Sequence, residues 1–222
     1  MFIWWPPAVA GDACRIAALR PQAMILIDGL FDEKPAIRHK ELLELIAIGV
    51  FVVGGASMGA LRAAELSRFG MIGVGQIFKA FLRGQLIGDD EVALVHGPEE
   101  WAWSGLTEPL VNVRATLLHA ARNSVISVET ARLVLTTSAR IFYKERTWSE
   151  ILARAEGRGL AHAGHMDALR SWLPRGRVDL KRLDAVACLD HARTLGGSGP
   201  ESRPFPPKTG FTDKLAARVG VS

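Results

Sequence analysis

The chain has 222 residues, of which 49% are hydrophobic and 23% are charged, and these proportions are ordinary for a globular protein. This length supports one large domain with its own core, or a domain with an accessory region, and it excludes disorder or a collagen-like structure for the whole chain. The formal net charge is only +4, and the basic residues are scattered along the chain. The composition therefore predicts no nucleic-acid partner.

Cysteine usage and hydropathy define the expected environment of the chain. Cys14 and Cys188 lie far apart and form no CxxC motif, which argues against a disulfide framework or a cysteine-rich zinc site and fits a cytoplasmic protein. The N-terminus lacks the basic and apolar regions of a signal peptide. Residues 45–61 are uncharged and approach the length of a membrane span. Their glycines divide them into a helix end, a strand and a turn, so we expect no membrane segment.

The N-terminal half predicts alternating strands and helices. Residues 23–27 are a short apolar run typical of a buried parallel strand. A helical pattern follows from Pro35 to Ile48 and ends at Gly49. Residues 50–53 predict a second strand, and residues 58–69 predict a second helix. This order forms a βαβ unit, so the sequence predicts an α/β fold with a small parallel sheet and flanking helices.

The rest of the chain is mainly helical by pattern. Residues 92–96 are ambiguous between strand and helix, and residues 98–109 are predicted to be a loop. A long helix begins near Pro109, and at least three amphipathic helices follow between residues 125 and 193. We therefore divide the chain into three parts: an α/β core over residues 1–122, a helical region over residues 123–194, and a Gly/Pro-rich tail over residues 195–222.

A G-x-S-x-G motif lies between the second strand and the second helix, at Gly55, Ser57 and Gly59. This is the context in which the motif acts as a nucleophile elbow, because small neighbours permit the sharp turn. The N-terminus of the following helix suits an oxyanion or a bound anion. We expect the Ser57 hydroxyl to face an open crevice. Two other interpretations remain: a non-covalent anion cradle, or a purely structural turn in which Ser57 caps the helix.

Carboxylates and a histidine complete the candidate chemistry. Asp28 ends the first strand, so Asp28 and Ser57 should meet at the carboxyl edge of the sheet, where α/β folds bind ligands; alternatively, Asp28 only forms the turn. The cluster Asp89-Asp90-Glu91 precedes His96, which can serve as a general base oriented by a carboxylate. Mutual repulsion should raise a pKa in a buried cluster unless a cation joins it. The alternative is a solvated acidic turn, and the spacing predicts no metal site.

Two arginines are candidates for binding a substrate carboxylate. Arg62 lies one turn from Ser57 and can bind a carboxylate with both guanidinium nitrogens. It can instead pair with Glu65, three residues further along the same helix. Arg114 is a similar candidate.

The chain resembles the TfuA-like family over roughly residues 6–122. The resemblance is carried, in order, by IDG (27–29), GASMGALRAAEL (55–66), GMIGVGQIF (70–78), DDEVA (89–93) and PLVNVR (109–114). It implies a partner of YcaO-type enzymes, which use ATP to activate a peptide amide during thioamidation of ribosomally made peptides or proteins. Family members usually begin with a further short strand before a Pro-Pro segment. Here Pro6-Pro7 comes almost at once, so we expect that strand to be missing.

The residues and the resemblance together predict sulfide release from a ubiquitin-like sulfur carrier that ends in a thiocarboxylate. Ser57, or a water molecule beside it, would attack the carbonyl carbon, with His96 as base and Glu91 as the orienting acid. We expect eight residues to contact the substrate: Asp28, Gly29, Gly55, Met58, Arg62, Asp89, Asp90 and Arg114. No cofactor is expected in this chain. The alternatives are a non-catalytic adaptor that docks the carrier or peptide on YcaO, and an independent serine esterase.

Overall fold

The structure is a computed structural model that describes residues 2–30, 34–157 and 163–195. The described residues divide into two compact units, the first formed by those up to residue 87 together with those from residue 182 onward, and the second by those between residues 88 and 181. The division at residue 122 that the sequence predicts stays a prediction. The predicted tail lies outside the described residues beyond Leu195.

The first unit contains a parallel sheet. Within the described residues its strands are β1 (Ala23–Leu26), β2 (Phe51–Gly54) and β3 (Ile72–Gly73), in the order β1-β2-β3. Leu26 lies opposite Gly54 in the parallel register of β1 and β2. The apolar side chains of β1 and β2 are buried or partly buried, as expected for a parallel sheet covered by helices. The predicted α/β class is confirmed.

Helices surround this sheet. Those of the first unit are α1 (Asp12–Ala18), α2 (His39–Ala47), α3 (Met58–Leu66), α4 (Gly75–Leu82) and, from Arg182 onward, α9 (Leu180–Thr194). The apolar faces of α1, α2 and α3 and the strands form one core, against which Phe78 of α4 packs; the core includes Leu26, Leu42, Leu45, Val52, Met58 and Ala63. The left-handed Gly49 (φ +85°) and Gly70 (φ +106°) follow the turns that end α2 and α3, where the sequence predicted helix ends.

The second unit is helical. It contains α5 (Leu110–Arg122), α6 (Val128–Ser138), α7 (Trp148–Gly157) and α8 (Ala163–Gly176). Their buried faces share a second core, which includes Val113, Leu117, Val134, Ile151 and Leu169. The Ser127 hydroxyl accepts a hydrogen bond from the Thr130 N–H at 3.2 Å and caps α6. The predicted helical region after the α/β core is confirmed.

Several local predictions are corrected. The helix predicted from Pro35 begins at His39, because α2 starts only after an extended Arg38. The sequence missed α1 and the two-residue strand β3. His96, in the ambiguous stretch, forms only a single antiparallel bridge with Gly105. Ahead of α1, residues 2–7 contain no strand, and Ala8 makes one parallel bridge with Gly29.

The uncharged stretch at residues 45–61 folds as predicted. It forms the end of α2, strand β2 and the first turn of α3. None of the described helices has the length and apolarity needed to cross a membrane.

Two glutamates of α2 are buried in the first unit. Glu41 and Glu44 are each 3% exposed. The Glu41 carboxylate accepts a hydrogen bond from the Gly11 N–H at 2.8 Å. Oε2 of Glu44 has no hydrogen-bond partner within the part of the chain that the structure describes. Burial, reinforced by the charge of Glu41 and opposed by Lys40, raises the pKa of Glu44 to about 7.

This buried carboxyl makes stability depend on pH. Because the folded state raises the pKa of Glu44 from 4.5 to about 7, its protonated form favours folding, and stability is lost as pH rises through that range. We expect the difference in unfolding free energy between Glu44→Gln and the original protein to shift in favour of the variant as pH rises from 4.5 to 8. The shift should be on the order of 2–3 kcal/mol in total. Urea denaturation at both pH values measures the change. Glu99→Gln, the same substitution at an exposed side chain, is the control, and an equal gap at both pH values would contradict the prediction.

Candidate functional site

The turn from β2 to α3 carries the G-x-S-x-G motif. Ala56 adopts the left-handed conformation at φ +66°, which is strained for a residue with a side chain. The backbone N–H of Ser57 donates to the Ile27 carbonyl oxygen at 3.2 Å, and the N–H of Gly59 donates to the same oxygen at 3.3 Å. The predicted sharp turn is therefore present and is fastened to the end of β1.

The glycines of this turn allow unusually close backbone packing. A Cβ atom at Gly59 would overlap the carbonyl oxygen of Leu26, and one at Gly54 would overlap the carbonyl oxygen of Gly59. Both obstacles are backbone atoms, which cannot rotate away as a side chain can. Helix α3 can therefore begin against β1 only where these residues lack side chains.

Ser57 is buried at this turn. Its exposed fraction is 0%. The prediction that its hydroxyl faces an open crevice is therefore wrong. The physical reason is the same close packing, since small residues let the turn settle against the end of β1. Ser57 precedes α3, yet its side chain makes no capping hydrogen bond to the helix. The capping interpretation is therefore not supported.

One backbone donor remains at the start of α3. The N–H groups of Ser57 and Gly59 donate to Ile27, and those of the next two residues donate to the Ser57 carbonyl. The N–H of Met58 has no acceptor among the described residues. In a nucleophile elbow the residue after the nucleophile supplies an oxyanion-hole N–H, and Met58 occupies that position.

The structure brings several predicted site residues together at the carboxyl edge of the sheet. The Asp28 carboxylate accepts a hydrogen bond from the Gly29 N–H at 2.9 Å, which is the local turn-forming role. A Cβ atom at Gly29 would lie 2.6 Å from Sδ of Met58, so these two predicted residues are in direct contact. This edge places Asp28 beside the Ser57 turn, as the parallel order of β1 and β2 predicts.

Arg62 is engaged within its own unit. Its guanidinium donates to the Glu65 carboxylate at 2.7 Å and to the Ile37 carbonyl at 3.3 Å. His39 lies 2.7 Å from the same carboxylate. The side-chain pair with Glu65, one of the two interpretations kept open above, is observed, while binding of a substrate carboxylate by Arg62 stays a prediction.

The acidic cluster lies in the second unit and is joined by cations. Asp89–Glu91 forms one 3-10 turn. Nη2 of Arg114 donates to both Glu91 carboxylate oxygens, at 2.8 and 3.1 Å. Two predicted residues thus pair with each other. Arg114 also provides a cation of the kind that would relieve repulsion among these carboxylates.

The sequence missed two buried cations at the same turn. Arg146 is 1% exposed, and its guanidinium donates to the carbonyl oxygens of Asp90 at 3.2 Å and Ile141 at 3.1 Å. Burial lowers the pKa of Arg146, and the charges of Asp90 and Glu91 oppose that effect. The ammonium of Lys181 donates to the Val92 carbonyl at 3.1 Å. Nothing in the local pattern distinguishes these side chains from exposed cations.

The two halves of the predicted catalytic set belong to different units. Ser57 lies in the first unit, and His96 and Glu91 lie in the second. Their cooperation stays a prediction. In the described ranges, no group of three or more histidine, cysteine, aspartate or glutamate residues is arranged to hold a metal ion.

A sequence model of the TfuA-like family matches residues 28–147. The chain belongs to the TfuA-like family. The match spans more than half of the chain and contains the Ser57 turn, the acidic turn and His96. No protein in the curated comparison matches the chain. The TfuA-like family is associated with YcaO-type enzymes and thioamidation. Membership in the family supports this association for the family as a whole and specifies no reaction for this chain.

The close backbone packing at Gly59 can be tested by adding one methyl group. We expect Gly59→Ala to lower the free energy of unfolding by about 3 kcal/mol or more, because the methyl group meets a backbone oxygen. Gly157→Ala is the matched control, since a Cβ atom there would have no atom of the described residues within 4 Å. Urea denaturation of both variants provides the measurement. Equal stability of the two variants would show that α3 can move away from β1 without cost.

Proposed function

We propose that this TfuA-like protein supports thioamidation of a ribosomally synthesised peptide or protein by releasing sulfide from a ubiquitin-like carrier that ends in a thiocarboxylate. Its partner is a YcaO-type enzyme, which uses the ATP, and we propose no cofactor for this chain. The observation that carries the proposal is the turn at Ser57. The left-handed Ala56 precedes Ser57, whose side chain does not cap α3, and the neighbouring Met58 N–H has no acceptor among the residues that the structure describes.

The proposed reaction is acyl transfer followed by hydrolysis. Oγ of Ser57 forms a bond to the thiocarboxylate carbon while its proton passes to His96, and the Met58 N–H stabilises the oxyanion. The C–S bond then breaks while His96 passes that proton to sulfur, which leaves as hydrosulfide, and His96 is again neutral. Water, deprotonated by His96, cleaves the resulting ester and regenerates Ser57. The net reaction converts thiocarboxylate and water into carboxylate, hydrosulfide and one released proton, with no change in oxidation state.

The acidic turn has a supporting role in this proposal. Glu91 would orient His96 while remaining paired with Arg114, whose two hydrogen bonds leave lone pairs on both carboxylate oxygens. The proposed substrate contacts at the sheet edge are Asp28, Gly29, Gly55, Met58 and Arg62. Those in the second unit are Asp89, Asp90 and Arg114.

Burial of Ser57 adds a requirement to the mechanism. Because the exposed fraction of Ser57 is 0%, the carrier terminus can reach the hydroxyl only after local opening. Opening driven by docking of the carrier would restrict sulfide release to productive encounters. This coupling is part of the proposal, since free hydrosulfide would otherwise diffuse away from the peptide.

The same burial favours a second candidate function. A non-catalytic adaptor would dock the carrier or peptide on YcaO and would not need an accessible hydroxyl. One experiment distinguishes the two functions: the purified protein is incubated with a thiocarboxylated carrier in the absence of YcaO. Release of sulfide supports the hydrolase, and its absence with intact binding supports the adaptor.

The nucleophile role is tested by Ser57→Ala. We expect sulfide release to fall by about 10³-fold or more, because the acyl intermediate cannot form. Ser138→Ala is the control, since Ser138 is equally buried and its hydroxyl donates to the Val134 carbonyl at 2.7 Å. Methylene-blue detection of sulfide measures both variants. Unchanged release by Ser57→Ala would remove Ser57 from the mechanism.

The base is tested separately by His96→Gln. We expect kcat to fall by about 10²-fold or more, since general-base assistance is lost. A variant that keeps the rate of the original protein would show that another group accepts the proton.

A further inference from the structure

Helix α9 presents two buried side chains to the sheet edge of the first unit. Asp184 is 3% exposed and Cys188 is 0% exposed. They lie four residues apart and therefore on the same face of the helix. Each contacts a glycine that follows a strand: Asp184 meets Gly75, the first residue of α4 after β3, and Cys188 meets Gly55 in the turn after β2.

Asp184 holds the start of α4. Its carboxylate accepts hydrogen bonds from the N–H of Gln76 at 2.9 Å and from the N–H of Ile77 at 2.7 Å. These are N–H groups of the first helical turn, which have no partner inside the helix. Gly75 has φ +97°, and a Cβ atom there would overlap the Asp184 carboxylate. The start of α4, and with it the short loop that joins β3 to α4, is thus held by hydrogen bonds to α9.

Cys188 packs against the loop that leads to Ser57. A Cβ atom at Gly55 would overlap Sγ of Cys188 and would lie 2.6 Å from the Val74 carbonyl oxygen. The position that a side chain at Gly55 would occupy is therefore bordered by both α9 and Val74, in the loop after β3. The loop after β3 is in turn the loop that Asp184 holds through α4.

We infer that α9 sets the position of the Ser57 turn and that Cys188 is a positioning residue for Ser57, acting through Gly55. This inference rests on the proposed function, because positioning matters only if Ser57 reacts. It extends the functional unit beyond residues 28–147, the segment that the family model matches, to a helix near the end of the described chain.

The contact itself is tested without any catalytic assay. Burial, with the nearby charge of Asp184, raises the pKa of the Cys188 thiol to about 12, so this thiol should react slowly with iodoacetamide in the folded protein. In a Cys14→Ser background, Gly55→Ala should displace α9 and increase alkylation of Cys188 by about 10-fold or more. Gly157→Ala, which adds a methyl group with no described atom within 4 Å, should leave the rate unchanged. Equal rates in the two variants would overturn the contact.

The positioning role is tested by kinetics. We expect Cys188→Leu to lower kcat for sulfide release by about 10-fold or more, because a larger side chain pushes Gly55 and displaces Ser57. KM should change less than about 2-fold, and Cys188→Ser, of similar size, should retain kcat. Val186→Leu is the control, since Val186 lies on the same helix and is 49% exposed. Rates are normalised to the folded fraction, so that simple destabilisation does not affect the comparison.

A second variant keeps the test decisive if Cys188→Leu does not fold. Cys188→Ala removes the contact without overfilling the space, and it should lower kcat by about 3-fold with an unchanged KM. Normal kcat in the variants that fold, together with inactive Ser57→Ala, would overturn the positioning role alone. Full activity in Ser57→Ala would instead overturn the proposed function, while the alkylation result would still stand.

Discussion

The structure of the candidate site depends on one backbone interaction. The carbonyl oxygen of Ile27, at the end of β1, accepts hydrogen bonds from the N–H groups of Ser57 and Gly59. It therefore joins one strand end to the turn of the next strand and to the first turn of α3. Close approach is possible because Gly54 and Gly59 lack side chains. The same interaction explains why Ser57 is buried, since the turn is drawn against the strand.

The parts of the structure that follow from local pattern were predictable from the sequence. Continuous apolar runs specified β1 and β2, and glycine marked the ends of α2 and α3, because these signals involve residues close together along the chain. Strand β3 was missed because two residues, Ile72 and Gly73, carry no periodicity. Helix α1 was missed for a similar reason, since it has only seven residues. Short elements are defined by packing against neighbours that are distant in sequence.

The candidate site shows the same distinction. The G-x-S-x-G spacing identified the turn, but it could not show that the Ser57 hydroxyl is buried, because exposure depends on all surrounding elements. The sequence also gave no indication of the roles of Arg146 and Asp184. Arg146 is a buried cation that holds a backbone turn, and Asp184 holds the first turn of α4 from more than 100 residues away along the chain. Such roles depend on contacts between distant segments, which residue spacing does not contain.

The discontinuity of the first unit has a consequence for its biosynthesis. Residues 88–181 form the second unit and leave the ribosome before Asp184 and Cys188. The segments around Gly55 and Gly75 therefore lack their contacts with Asp184 and Cys188 during translation until α9 has been made. Contacts between segments so far apart form slowly, because a long loop must close first. Nascent chains that stall before α9 would lack the contacts between α9 and the ends of strands β2 and β3. Such incompletely packed chains are expected to be bound by chaperones or cleaved by proteases.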